Sequence, residues 1–194
     1  KQIENVKVHG VSPVVAINAF PTDHASEHQA IREIAESVGA RVAVCTHFSD
    51  GGAGAVKLAQ AVVEACEEPT QFQLLYPDSA SLTEKIEKIA TTIYGAASVE
   101  YSELAQSQLA RYEANGFGSL PICVAKTHLS ISGDASLKGA PTGHVLKVRE
   151  VRASVGAGFV YPICGDMRTM PGLGSHPAAL NIDIGPDGRI VGLS

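Results

Sequence analysis

Short apolar runs alternate along this chain with segments of helical periodicity. The β-branched runs at 12–18 and 41–47 are each followed by a segment whose apolar residues recur every three or four positions. A third apolar run, FQLLY at 72–76, follows the second of these segments. Strand and helix signals that alternate across such short connections predict parallel strands with right-handed crossovers. The first half of the chain is therefore predicted to be a βαβαβ unit.

Residues that commonly begin and end helices bound the helical segments. Asp23 is placed to cap the first helix and Gly39 to end it. Ser81 and Glu84 have the spacing of a capping box for a third helix, and a fourth is predicted over about 102–114. The residues expected to face the core are Ile31, Ile34, Ala35 and Val38, then Ala59, Val62, Val63 and Cys66, then Ile86, Ile89 and Ile93.

The second half of the chain contains more strand signals than helix signals. The run LPICVAK at 120–126 reads as a further buried strand, and 127–143 is rich in Ser, Gly and Pro and is expected to form loops. Residues 144–153 alternate with period two and 159–164 follow as a strand. The turn at 185–188 is expected to close a hairpin.

These patterns predict an α/β fold. We expect a parallel Rossmann-like sheet with helices on both faces in residues 1–126, followed by a smaller β-rich part in 127–194. With 194 residues, 45% hydrophobic and 18% charged, the chain is long enough to bury a core as one continuous domain, which is the alternative.

Charge and hydropathy exclude some classes of partner. The net charge is −5 and there is no run of Lys and Arg, so a nucleic-acid partner is not expected. The N-terminal residues lack the pattern of a signal peptide, and no apolar run approaches the ~20 residues that span a bilayer. We expect a soluble, cytoplasmic protein without a membrane partner. The first residue is Lys rather than Met, which fits a processed or shortened chain.

Four cysteines are widely spaced, at Cys45, Cys66, Cys123 and Cys164. The absence of a C-x-x-C pair gives no signal for a zinc ribbon or a disulfide framework. We expect four reduced core residues, as in a cytoplasmic protein.

The glycine-rich string GGAGA at 51–55 lies between a predicted strand and a predicted helix, where backbone N–H groups can hold an anion. Asp78 lies past the next predicted strand, where the acidic residue of a Rossmann fold contacts a ribose. Lys57, however, stands at the third glycine position of the dinucleotide fingerprint. A nicotinamide oxidoreductase, simple tight packing of strand on helix, and a loop shaped around another ligand remain alternatives.

One further motif has the spacing of a catalytic metal site. His24, Glu27 and His28 have the H-x-x-E-H spacing of an inverted zincin. No third ligand can be assigned, and a solvated helix start is the preferred interpretation, so no metal is expected. The sequence contains neither a G-x-S-x-G nucleophile elbow nor a G-x-x-x-x-G-K-[ST] phosphate loop for ATP.

Lys126 and Arg152 each follow a predicted strand among small residues. Cations at such positions commonly meet an anionic ligand. The alternative for both is a surface cation or a paired one.

Five strings carry a family resemblance from about residue 3 to the end of the chain. They are FPTD (20–23), TIYG (92–95), GFGSLPICVAKTHLS (116–130), VRASVGAGFVYPICGDMRTMPGL (151–173) and NIDIGPDGRIVGLS (181–194). With these strings the sequence resembles the C-terminal portion of the formate–tetrahydrofolate ligases. The resemblance implies an enzyme that joins formate to tetrahydrofolate with ATP and Mg²⁺ through formyl phosphate. It also implies stimulation by a monovalent cation, K⁺ or NH₄⁺, and a homotetramer of longer chains.

The resemblance also assigns site residues. It places the pterin ring between Phe20, with Pro21, and Phe48, where tryptophan is usual in the family, and makes Gly51 and Gly52 the floor beside that ring. Alanine at position 53, where some members have glutamate, is a second departure. Candidates for a ligand-facing rim, from strand-end positions and family motifs, are Lys126, Thr127, Arg152 and Ser154.

No catalytic residue and no tightly bound cofactor are assigned to this chain, and no turnover is expected from it alone. The alternative is a free-standing, non-catalytic module of the same family that binds folate or serves assembly.

Overall fold

The computed structural model describes residues 1–165 and 176–192. Residues 166–173 of the longest family-like string, and the last two residues of the final string, lie outside the described residues. The helices are α1 (Gln2–Lys7), α2 (Ala25–Ser37), α3 (His47–Asp50), α4 (Val56–Cys66), α5 (Leu82–Thr92) and α6 (Glu103–Ala114). The strands are β1 (Val14–Asn18), β2 (Arg41–Cys45), β3 (Ser98–Tyr101), β4 (Val145–Ser154), β5 (Phe159–Cys164), β6 (Asp183–Ile184) and β7 (Ile190–Val191). Short 3₁₀ helices occupy Gly51–Ala55, Val155–Ala157 and Ala178–Leu180.

Strands β1 and β2 form a parallel pair, with Val14 opposite Arg41 and Asn18 opposite Cys45. Helix α2 connects the two strands, and α4 follows β2 and packs on both of them. This confirms the βαβ arrangement and the α/β fold class. The carboxyl ends of both strands lie at one edge of the pair.

The predicted third strand at 72–76 is wrong. This segment has no regular secondary structure, and the chain beside it bonds to the connection before β1, with Gln71 N donating to Gly10 O at 3.2 Å and Gln73 N to His9 O at 3.1 Å. The error arises because a short apolar run gives the same sequence signal whether it forms a buried strand or an irregular segment. Asp78 therefore does not follow a strand, and the Rossmann interpretation loses its acidic residue.

A second sheet has the order β3-β4-β5. Strand β3, which the sequence analysis did not predict, runs parallel to β4, while β4 and β5 are antiparallel. The predicted strand 120–126 forms only isolated parallel bridges to β5, Ile122 with Val160 and Ala125 with Ile163. The predicted period-two segment, β4, pairs in parallel with β3 and as an antiparallel hairpin with β5. The sheet is therefore mixed. Strands β6 and β7 form the predicted closing hairpin.

The main hydrophobic core lies between this second sheet and helices α5 and α6. Its fully or nearly fully buried members are Leu82, Ile86, Ala90, Ala96, Ala105, Leu109, Leu146, Val148, Val151, Val160 and Cys164. The predicted division between residues 126 and 127 runs through this cluster. The division into two parts, like the alternative of one continuous domain, stays a prediction.

The predicted inner faces of α2 and α4 are largely wrong. Ile34 and Val63 are exposed, whereas Ala35, which was predicted, and Ala65, which was not, are the buried residues of their helices. Small side chains allow a helix to approach the two-stranded pair closely, so alanine rather than isoleucine or valine faces the strands. In α5 the predicted Ile86 is fully buried, together with Lys85, which was not predicted.

The helix start signals are confirmed in two cases and corrected in one. Ser81 Oγ accepts from Glu84 N at 3.2 Å, and Ser102 caps α6 through Ala105 N at 3.1 Å. Helix α2 begins after His24 rather than after Asp23, and the Glu27 carboxylate accepts from His24 N at 2.9 Å. Asp23 lies one residue too early to cap the helix.

All four cysteines are free, but only Cys45 and Cys164 are buried. The prediction of core positions is wrong for Cys66 and Cys123, which are exposed. Within residues 1–165 and 176–192, no helix has the length and apolar character needed to cross a membrane.

Candidate functional site

Phe20 and Phe48 lie together at the carboxyl edge of the β1–β2 pair. Phe20 follows the end of β1 by two residues, and Phe48 follows the end of β2 by three, in the short helix α3. Because the strands are parallel and adjacent, their carboxyl ends deliver both rings to one place. The ring centroids are 5.1 Å apart with an interplanar angle of 53°. The rings are 43% and 66% exposed, although aromatic side chains usually bury most of their area.

The two rings touch each other and leave no slot between them. A flat ring stacked between two others needs a carbon–carbon distance of about 3.5–4 Å on each face, so the outer rings would stand roughly 7–8 Å apart. The observed separation is 5.1 Å. A sandwiched ligand therefore requires one phenylalanine to rotate outward, and the exposure of Phe48 leaves room for that movement.

The turn before Phe20 is held by Asp23. One carboxylate oxygen of Asp23 accepts from Phe20 N at 2.8 Å and lies 3.1 Å from His28 Nε2. These contacts, the backbone hydrogen bond first, lower the pKa of Asp23. Pro21 lies inside this turn. The turn therefore fixes the backbone from which the Phe20 ring projects.

The glycine-rich loop packs against the end of β2. Thr46 N donates to Gly54 O at 3.1 Å, and Thr46 Oγ1 donates to Asp50 Oδ2 at 2.7 Å. A Cβ on Gly54 would lie 2.6 Å from Thr46 Oγ1, so this position excludes any side chain. Tight packing of strand on loop is therefore the role of Gly54.

Gly51 and Gly52 have a different environment. Gly51 has a φ of +58°, which favours glycine, and a Cβ on either residue would meet nothing within 4 Å. Both glycines thus border open space directly after the helix that carries Phe48. On the inner side of the loop, Lys57 and Asp50 help to line a cleft of about 330 Å³.

The H-x-x-E-H segment forms the start of α2. The Glu27 carboxylate is used by the backbone of His24, and His28 lies beside Asp23. Within the described ranges, no group of three His, Cys, Asp or Glu side chains is arranged to hold a metal ion. The segment organises the turn that carries Phe20.

Lys126 and Thr127 lie in a different part of the molecule from Phe20 and Phe48. Lys126 Nζ donates to Thr127 O at 3.1 Å and to Ser130 O, and it lies 4.9 Å from the centroid of the Tyr94 ring. Thr127 Oγ1 accepts from Leu129 N at 3.2 Å. Burial lowers the pKa of Lys126. The cleft that Lys126 lines is not lined by Phe20 or Phe48.

Arg152 does not follow a strand but lies within β4, opposite Tyr161. Its guanidinium donates to Glu150 Oε1 at 2.8 Å, and this hydrogen bond raises the pKa of Arg152. The alternative of a paired cation therefore describes Arg152. Ser154 is the last residue of β4, opposite Phe159. Their role in a ligand-facing rim stays a prediction without a contact to support it.

The sequence analysis missed Gln2, Asn5 and Tyr94, which line the cleft around Lys126. They lie 124, 121 and 32 positions before Lys126 in the chain. No local spacing signal links residues so far apart, and only a family alignment of co-varying positions could have done so.

Comparison with known proteins gives one consistent family. The family model described as formate–tetrahydrofolate ligase matches residues 1–194. A formate–tetrahydrofolate ligase of Saccharopolyspora erythraea is 69% identical over the whole chain, and one from Cutibacterium acnes is 56% identical. The chain spans about a third of the length of these relatives, 34% in both cases. The sequence motifs, the fold and these matches together place the chain in the formate–tetrahydrofolate ligase family.

Proposed function

We propose that this chain forms the tetrahydrofolate side of an ATP-dependent formate–tetrahydrofolate ligase. In the complete enzyme, formate attacks the γ-phosphate of ATP and displaces ADP. N10 of tetrahydrofolate then attacks the carbonyl carbon of the resulting formyl phosphate, which releases inorganic phosphate and the N10 proton. The proposed role of Phe20 and Phe48 is to hold the pterin ring. The exposed pair of rings at the carboxyl ends of two parallel strands is the observation that carries the proposal.

The position of the rings fits a ligand site. In open α/β sheets, ligands bind outside the carboxyl ends of the strands. Stacking of a flat heteroaromatic ring on an aromatic face contributes about 0.5–1.5 kcal/mol beyond area burial. The turn held by Asp23 leaves the Phe20 ring exposed at that edge. Gly51 and Gly52 border open space beside it and would accommodate the flat edge of a ligand.

We infer that the nucleotide is held elsewhere in the complete protein. The sequence of this chain has no phosphate loop, and it resembles the C-terminal portion of the ligase. The Mg²⁺, the monovalent cation and the homotetramer are likewise proposed for the complete enzyme, and this chain alone is expected to lack turnover.

The proposal is tested by isothermal titration of the chain with tetrahydrofolate under reducing conditions. Phe20→Ala and Phe48→Ala should each weaken binding about tenfold or more, because each removes one stacking face and its apolar area. Phe48→Trp should bind several-fold more tightly, since indole offers a larger face. The sequence contains no tryptophan, so the introduced indole also reports binding by its fluorescence.

Phe72→Ala is the matched control. Phe72 is 65% exposed, like Phe48, but stacks on His9 rather than on the proposed site. This variant should bind tetrahydrofolate like the parent chain, and Mg-ATP should give no binding heat with any of them. Equal folate binding by Phe20→Ala and the parent, or no folate binding by a folded parent chain, would contradict the proposal.

A further inference from the structure

A second cleft lies between α1, the end of α5 and the segment after residue 125. It measures about 300 Å³, and the residues that matter for its chemistry are Gln2, Asn5, Tyr94, Lys126, His128 and Ser130. We call it the Lys126 cleft. Its volume is at the lower end of the range of small-molecule sites.

The charge of this cleft is unbalanced. Among the residues that the structure describes, no Asp or Glu lines it, and the contacts of Lys126 are with neutral groups, namely two backbone carbonyls and the Tyr94 ring. Among the described residues Lys126 forms no ion pair with a carboxylate. Buried or partly buried charges are normally paired, since removing them from water is costly. The described part of the chain therefore gives the cation of this cleft no counterion.

The cleft also contains hydrogen-bond donors that the described chain does not use. Asn5 is only 9% exposed. Its Oδ1 is a buried acceptor that an anion would leave unpaired, so the donor that Asn5 offers is its Nδ2. No hydrogen bond joins Asn5 Nδ2, Gln2 Nε2 or the Tyr94 hydroxyl to another described residue. Lys126 uses two of its three N–H groups on carbonyls. Unused donors around an uncompensated ammonium group match a ligand that accepts hydrogen bonds and carries negative charge.

We propose that the Lys126 cleft binds a small organic oxyanion, through a carboxylate or a phosphate group that accepts from Lys126 Nζ and the Asn5 amide. Bonds of this kind to ionised groups are shorter and stronger than neutral ones. Such an anion supplies a counterion that no described residue provides for Lys126, and an acceptor for Asn5 Nδ2. The proposed oxyanion site is distinct from the Phe20 and Phe48 pair, so it does not depend on the function proposed above.

Titration calorimetry with inorganic phosphate and, separately, with succinate tests the proposal. The parent chain should bind at least one of the two with a dissociation constant of about 1 mM or tighter. Lys126→Met keeps the length of the side chain but removes its charge, and it should weaken binding about tenfold or more. Gln2→Glu adds a negative charge at the exposed rim and should also weaken binding, with little consequence for folding.

Lys88→Met is the matched control, because Lys88 is an exposed lysine of α5 that does not line this cleft. It should bind like the parent chain. Binding of phosphate alone or of succinate alone would identify the group that the cleft accepts. Absence of saturable binding of both probes, or equal binding by the parent, Lys126→Met and Gln2→Glu, would overturn the proposal. Circular dichroism melting of each variant shows whether it is folded.

Discussion

His144, the residue before β4, has both ring nitrogens buried without a hydrogen-bond partner in the described part of the chain. A buried polar group without a partner costs about 1–3 kcal/mol. The backbone carbonyl of His144, by contrast, has a hydrogen-bond partner, because His144 O accepts from Ala97 N at 2.8 Å. The side chain thus reduces stability at a position where the strand itself is well bonded.

We expect His144→Phe to raise the free energy of unfolding by about 1 kcal/mol or more, because an apolar ring of similar shape has no nitrogens to satisfy. Urea denaturation of the two proteins measures the difference. His144→Leu provides a second apolar variant in case the larger phenylalanine ring is strained. His144→Gln should give no gain, since it keeps a polar group, and a loss of stability in both apolar variants would contradict the argument.

At the scale of elements, Glu68 ties the ends of several segments together just beyond α4. Its carboxylate accepts hydrogen bonds from Arg41, the first residue of β2, and from Ser12, just before β1. These bonds, the one from Arg41 first, lower the pKa of Glu68 from 4.5 to about 2. The carboxylate therefore helps to hold α4 against the strand pair that positions Phe20 and Phe48.

The lowered pKa of Glu68 has a defined consequence for stability against pH. A carboxyl whose pKa is lower in the folded state stabilises the fold above its unfolded pKa, and the contribution is lost as pH falls towards the folded pKa. The melting temperature should therefore fall between pH 4.5 and about pH 2, and less steeply in Glu68→Gln than in the parent. Calorimetric melts at several pH values and low salt measure this, and identical slopes would show that the contacts do not stabilise the fold.

At the scale of the whole molecule, the β1–β2 pair and the β3-β4-β5 sheet differ in how their strands are supported. Strand β4 is paired on both sides, with β3 and β5, and Leu146, Val148 and Val151 are at most 1% exposed. In the described chain β2 is paired with β1 alone, and the helices on this pair expose Ile34 and Val63.

We expect backbone amides of β4 to exchange with deuterium most slowly and those of β1 and β2 markedly faster, because local opening is easier where few apolar groups are buried. Hydrogen–deuterium exchange followed by mass spectrometry distinguishes the two sheets. Peptides from α6, which packs on β4, serve as the internal reference. Equal protection of β2 and β4 would mean that both sheets unfold as one cooperative unit.

What the sequence by itself determined is local chemistry. Ser81 and Ser102 predicted the starts of α5 and α6 because a capping hydroxyl acts within three residues. The strands β1, β2, β4 and β5 followed from runs of β-branched and alternating residues, and the family from strings of specific residues. The candidate pair Phe20 and Phe48 came from the family resemblance.

Only the tertiary structure decided what depends on distant partners. It placed FQLLY beside a loop rather than in a sheet, turned the larger apolar residues of α2 and α4 outward, and paired Arg152 with Glu150. It also buried Lys85 completely, with Nζ donating to Gly118 O at 2.7 Å. Asn5 meets Lys126 in one cleft across 121 positions of sequence. Periodicity reports which side of an element is apolar, but the face that is buried depends on the shape and polarity of what packs against it.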